Sequence, residues 1–408
     1  MKTSLKTVLL ASSLLTGTAA AIGLHPLWSQ NDANTAVVMQ PIAPTLPIDT
    51  QNKTAPKIEV VFVLDTTGSM GGLIDAAKNN IWSIATSMAS AKPAPQIRMG
   101  LVAYRDRGDE YVTKVLDLSP DMDSMYAALM DFRAEGGGDG PESVNQALHD
   151  AVNRVSWSED KNSYKVIFLV GDAAPHMDYS NDVPYPDTLK IATNKGIVVN
   201  CIQAGGETDT RQVWQHIASL NQGRYFQVEQ SGSAVAVATP FDDKIATLSR
   251  QLDETRVFYG DADTRRVLEK KTDAAKKVYA AAPAAVQAKR AEFNASAAGA
   301  SNLFADSELV DDVASGRVKL ESVDKTRLPE PLQKLGMEEQ KRLIKDKAEQ
   351  RKQLQAEIAQ VSQQRQDYIK HELVKQKDVA DSLDGKIHSA VREQAKEKGL
   401  VYESGPTL

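Results

Sequence analysis

From Lys57 to Val228, short apolar runs alternate with stretches of helical spacing, and this leaves few folds open. The run "IEVVFVL" (58–64) is mostly apolar, as a strand buried on both faces would be. "QIRMGLVAY" (96–104) and "YVTKVLDL" (111–118) read as strands joined by the tight turn "RDRGDE", and so as a hairpin. "YKVIFLVGD" (164–172), "IVVNCIQAG" (197–205) and the short "RYFQV" (224–228) supply further strands. Helical spacing covers 70–89, 121–133, 142–155 and 209–221. Strands separated by helices predict an α/β, Rossmann-like, mostly parallel sheet with helices on both faces.

This region is flanked by segments of a different character. Lys2 and Lys6 precede an apolar core with small residues at 19–21, the pattern of an export signal over 1–24. The apolar stretch 8–24 is close to the minimum span of about 17 residues, so an uncleaved N-terminal anchor is the alternative. Either reading puts the folded part outside the cytoplasm, in the periplasm or cell envelope. Five prolines at 26, 41, 44, 47 and 56, set among Asn, Thr and Gln, mark 25–56 as an extended linker. The sheet domain is expected over 57–230 and an α-helical C-terminal region over 231–408. In the latter, Phe241, Ile245, Leu248 and Leu252 share one helix face, and an Ala- and Lys-rich helical stretch spans 264–297.

A long charged helix is expected over 337–377. Its seam is Leu354, Ile358, Val361 and Tyr368, interrupted by Lys347, Arg351 and Arg365. It serves either as a helical hairpin folded on its own chain or as a short coiled coil that recruits a partner or forms an oligomer.

Composition narrows the function classes. The formal net charge is −6 with both signs spread along the chain, which argues against a nucleic-acid binder. Cys201 is the single cysteine, so no intramolecular disulfide forms; it lies among apolar strand residues and reads as a small buried hydrophobe.

Parallel α/β sheets bind ligands beyond the carboxyl ends of their strands. Three loops reach that edge with oxygen-bearing side chains: Asp65-Thr66-Thr67-Gly68-Ser69, "GGGDGPES" (136–143), and "VGDAAPH" with Asp172. Alternate residues of the first loop, Asp65, Thr67 and Ser69, can turn toward one point. A hard divalent cation takes oxygen ligands, six at about 2.0–2.1 Å for Mg²⁺. Each loop also has a plainer reading. Ser69 could cap the helix that follows, and Asp139 with Pro141 and Glu142 could form a helix start. Asp172 could simply turn the chain. Capping would have to explain all three loops at once.

These motifs resemble a known family. Residues 57–230 are similar to a von Willebrand factor type A domain, with Asp65, Thr67 and Ser69 in its DxSxS pattern and Asp172 after the fourth main strand. The resemblance implies a metal-ion-dependent adhesion site holding Mg²⁺ or Mn²⁺, and "DGPES" is similar to the integrin β-subunit version, where a glutamate, here Glu142, is the ligand. In that version Asp106, Asp139 and the Pro141 carbonyl match a second, Ca²⁺-type site. A third site needs an acidic pair after Met70, where this chain has Gly71, Gly72 and Leu73. The overall layout is similar to secreted bacterial proteins with one such domain followed by helices.

The resemblance implies a non-enzymatic binding module that takes an Asp or Glu carboxylate of a protein partner through the ion. Any membrane contact is expected only through an uncleaved N-terminal segment. One alternative is a structural or assembly subunit of an envelope complex. Another is a metallohydrolase with Glu142 or His176 as base, which no HExxH motif supports. A surface position is expected for His176. The tripeptide Arg107-Gly108-Asp109 is read as ordinary turn chemistry.

Overall fold

The structure is a computed structural model that describes residues 37–38, 55–138, 140–232, 237–373 and 381–403. The signal or anchor expected over 1–24 lies outside the described residues, as does most of the linker. The exception is β1 (Val37–Val38), two linker residues that pair parallel with an edge strand. No helix among the described residues is long and apolar enough to cross a membrane.

The strands expected from the sequence form one sheet: β2 (Lys57–Asp65), β3 (Gln96–Tyr104), β4 (Thr113–Ser119), β5 (Tyr164–Gly171), β6 (Ile197–Ala204) and β7 (Tyr225–Val228). With β1 at one edge, the order is β1-β4-β3-β2-β5-β6-β7. All pairs are parallel except the β3–β4 hairpin. Central β2 is buried on both faces. Ile58, Val60, Phe62 and Leu64 pack on one side, under α1 (Gly71–Ala89) and α2 (Met122–Leu129). Val61 and Val63 pack on the other, under α3 (Val144–Asn153), α4 (Tyr185–Asn194) and α5 (Thr208–Leu220). Cys201 is fully buried in that second layer. Helix α4 has no counterpart in the sequence reading, because the polar run before it hides its short apolar face.

The remaining helices run in order: α6 (Asp242–Glu254), α7 (Ala262–Ala281), α8 (Ala284–Ala295), α9 (Ala300–Phe304), α10 (Leu309–Ala314), α11 (Glu330–Gln333), α12 (Met337–Leu373) and α13 (Leu383–Gln394). The single stretch expected over 264–297 is broken at Pro283, which has no N–H to continue a helix.

The change of character at residue 230 separates two kinds of secondary structure: part of the helical region packs around clusters of its own, and part joins the core of the sheet. Residues 34–408 form one compact unit. Val278, Val286 and Phe293 join the core that covers the sheet, as do Leu383, Ile387 and Val391. Trp82 of α1 packs on Phe293 with ring centroids 5.7 Å apart. Buried ion pairs reinforce this join. Lys271 of α7 reaches Asp121, the N-cap of α2, at 2.7 Å, and Arg290 of α8 grips Asp123 with two nitrogens.

Helix α12 uses its seam inside its own chain. Leu354, Ile358 and Val361 pack with Ile245, Leu248 and Leu252 of α6. The arginines that interrupt the seam are working parts of it. Arg351 forks onto Glu308 at 2.7 and 3.0 Å, and Arg365 bonds Asp242 and Glu292 at 2.8 and 3.0 Å. Sequence periodicity could not show this, because the carboxylates come from α6, α8 and the segment before α10.

Candidate metal centre

Strand β2 delivers Asp65 to the carboxyl edge of the sheet, fully buried. The loop after it is pinned by its neighbours: Thr66 N–H donates to the Tyr104 carbonyl (2.9 Å), and Gly68 N–H to the Gly136 carbonyl (3.1 Å). Asp65 Oδ1 accepts from the Thr67 amide (2.9 Å) and hydroxyl (2.7 Å). The Thr67 and Ser69 hydroxyls lie 3.5 Å apart. The three alternate residues therefore do face one point. Ser69 is exposed and makes no capping bond to α1, whose N-cap is Met70.

The second loop arrives from the other side. Glu142 N–H donates to the Ala174 carbonyl (2.9 Å), and the Glu142 carbonyl accepts from His176 N–H (3.0 Å). This ties Glu142 to the loop after β5, where Asp172 sits half-buried. Helix α3 begins at Val144 with Ser143 as N-cap, so Pro141 and Glu142 lie before the helix and not in its first turn. Gly137 lets the loops close: an added Cβ there would lie 3.0 Å from Thr67 Cβ and 3.1 Å from Glu142 Oε1, with a φ of +75° besides.

The electrostatics are those of carboxylates crowded together. Burial pushes Asp65 up to about 7, with the Asp172 charge adding to it against the opposing Thr67 bonds. Burial, then the charges of Asp65, Asp106, Asp109 and Asp172, push Glu142 up to about 9. The Tyr104 phenol is raised by burial and by Asp65, Glu142 and Asp172. Asp65 Oδ2 and Glu142 Oε2 are buried with no hydrogen-bond partner. Two orphaned carboxylate oxygens beside two hydroxyls fit a hard divalent cation. Among the described residues, no group of three or more His, Cys, Asp or Glu side chains is placed to hold a metal ion.

Residues 59–239 match the family model of the von Willebrand factor A domain. This part of the chain is a von Willebrand factor A domain. Domains of this family are generally protein-interaction or adhesion modules. The von Willebrand factor A domain-containing protein 7 of Rattus norvegicus is 35% identical over 120 residues, 29% of this chain and 12% of that protein. The alpha-protein kinase vwkA of Dictyostelium discoideum is 26% identical over 120 residues, 29% of this chain and 19% of the kinase. The chain thus spans under a fifth of the length of these relatives. Among solved structures, proximal thread matrix protein 1 from the mussel byssus, with a zinc-occupied MIDAS motif, is 17% identical, with 43% of this chain and 42% of that one covered and a TM-score of 0.35.

Of the two carboxylates expected at a second site beside the von Willebrand factor A domain's central loop, the structure describes Asp106. Asp106 is buried with both oxygens engaged: Oδ1 accepts from Ser143 Oγ and Oδ2 from the Tyr179 phenol, each at 2.8 Å. It braces the second loop. Asp139, the other carboxylate of the expected second site, lies outside the described residues. His176 corrects the expectation of a surface position. It is 7% exposed, bonds Asp178 at 2.8 Å and stacks on Tyr179 at 4.1 Å. The turn 107–109 is structural, since Asp109 accepts from the Asp106 and Gly137 amides while Arg107 pairs with Asp182.

Two residues escaped the sequence reading. Gln230 Nε2 donates to Asp172 Oδ2 at 2.7 Å, bridging the ends of β5 and β7; no motif marks it. Gly171 is the second. A Cβ there would stand 2.4 Å from Tyr104 Oη and 2.9 Å from Asp65 Cβ, closer than side chains approach. Gly171→Ala is therefore expected to cost about 1–3 kcal/mol and to weaken any cation response, both read from thermal melts with and without Mg²⁺. An unchanged melting temperature would show that Asp65 has room to move.

Proposed function

We propose that this domain is a metal-dependent protein-binding module of the cell envelope. Asp65, Thr67, Ser69, Glu142 and Asp172 hold Mg²⁺ or Mn²⁺, and a partner's Asp or Glu completes the ion. The observation that carries this reading is the pair of buried, unpartnered oxygens, Asp65 Oδ2 and Glu142 Oε2, beneath the exposed Ser69. The bound ion would supply Lewis acidity for one incoming carboxylate. The chain's own residues supply the rest: Thr67 orients Asp65 through two bonds, and Gln230 orients Asp172. The ligands are carboxylates and hydroxyls without an adjacent histidine pair, which suits adhesion better than hydrolysis.

Mg²⁺ or Mn²⁺ is expected to raise the melting temperature by several degrees through preferential binding to the folded state. Asp65→Ala is expected to abolish the rise. A wild-type melt indifferent to both ions and to EDTA would overturn the reading.

A further inference from the structure

The loops around the candidate ion carry exposed carboxylates that the ligand set does not use. Glu135 donates its amide to the Thr66 carbonyl, and Glu110 reaches the same Arg105 that Glu135 approaches, 3.7 Å from each. Asp178 is held beside the centre by His176. Glu229 precedes Gln230, and Glu207 and Asp209 flank the start of α5, where the Thr210 hydroxyl donates to the Asp172 carbonyl. All six are exposed. The nearby cations are largely spent, with Arg105 buried between Glu110 and Glu135 and Arg107 paired with Asp182. Arg133 is an exposed cation on the same loops, and Arg211, one turn into α5, bonds the neutral Gln227 side chain. An acidic rim alone would mean little. Here it lies on loops that meet two unpartnered oxygens on side chains that are 0% exposed (Asp65) and 4% exposed (Glu142).

A carboxylate approaching the ion must cross this negative rim. Like charges brought together at an interface disfavour binding, and opposite charges raise the association rate. We infer that the partner segment carries its ion-contacting carboxylate between lysines or arginines. This rests on the ion-dependent reading above and adds the partner's charge pattern to it.

The test uses the full chain and short Gly/Ser peptides bearing one central Asp, flanked by Lys, by Ser or by Glu, plus a Lys-flanked peptide with central Asn. In Mg²⁺ the Lys-flanked Asp peptide is expected to bind about ten-fold tighter than the Ser-flanked one, and the Glu-flanked one weakest. EDTA and the Asn centre should each abolish binding. The variant Glu135→Gln, Asp178→Asn, Glu229→Gln should narrow the Lys-over-Ser preference while keeping the Mg²⁺ shift in melting temperature, which also reports that it folds. Equal affinities for the three Asp peptides, with that shift intact, would overturn the charge pattern and leave the ion reading standing. Tight binding of the Asn peptide in EDTA would also overturn it, because the rim would then be acting alone. Loss of the Mg²⁺ shift in the wild type would overturn both.

Discussion

Arg290→Ala is expected to destabilise the chain by about 3–5 kcal/mol, the range for removing one partner of a buried ion pair. Arg290 is fully buried. Its Nη2 bonds Asp123 at 2.7 Å and Asp253 at 2.9 Å, and its Nη1 bonds the Tyr279 phenol at 2.7 Å. Burial alone would raise the Asp123 carboxyl, but the Arg290 charge and bonds overrule it and hold that carboxyl below its usual range. Truncation would leave Asp123 buried without its main counter-charge, while Asp253 keeps Arg256 at 3.2 Å. Because Asp123 belongs to α2 and Arg290 to α8, the loss should appear as one cooperative transition shifted as a whole. The exposed pair Lys276–Asp273 is the control, and Lys276→Ala should cost less than about 0.5 kcal/mol. Urea unfolding followed by circular dichroism reads both. Two separate transitions, with only the helical one moved, would show that the shared core does not couple the regions.

The second large effect is a pH dependence that the cation reverses. In EDTA, Asp65 has a folded-state pKa of about 7 against an ordinary 3.8, so the folded chain holds that proton more tightly than the unfolded chain. The associated stability is complete below about pH 4 and is lost as the pH rises through about 7. The rise is worth on the order of 4 kcal/mol at most. Glu142, pushed to about 9, extends the loss upward. A divalent cation takes the ionised oxygens and competes with protons, so its stabilisation should grow from pH 5 to pH 8. Melts of wild type and Asp65→Asn, each with EDTA and with Mg²⁺, isolate the effect from other carboxylates. The difference between the two proteins in EDTA should shift in favour of Asp65→Asn as the pH rises. A Mg²⁺ gain that is flat with pH would remove these carboxylates from the ligand set.

Much of the sheet was legible because strand period and turn chemistry are local. The apolar run at 58–64 identified the central strand, and "RDRGDE" identified the antiparallel β3–β4 hairpin. Asp65, Thr67 and Ser69 were legible as a group because their alternation is also local. Two features were not. His176 was expected at the surface, yet the packing of Tyr179 and Asp106 around it is a tertiary event. Arg351 and Arg365 looked like faults in a helix seam, because the carboxylates that neutralise them come from α6, α8 and the segment before α10.

The sequence by itself determined the α/β alternation, the strand that ends in Asp65, and the oxygen-bearing side chains on three loops. Only the tertiary structure decided that Glu142 clamps onto the loop after β5, that Gln230 reaches Asp172, and that helices of the C-terminal region complete the core over the sheet. The reason is physical. Hydrogen-bonded turns and strand faces depend on residues a few positions apart, whereas buried charges find partners wherever the fold brings an opposite charge out of water.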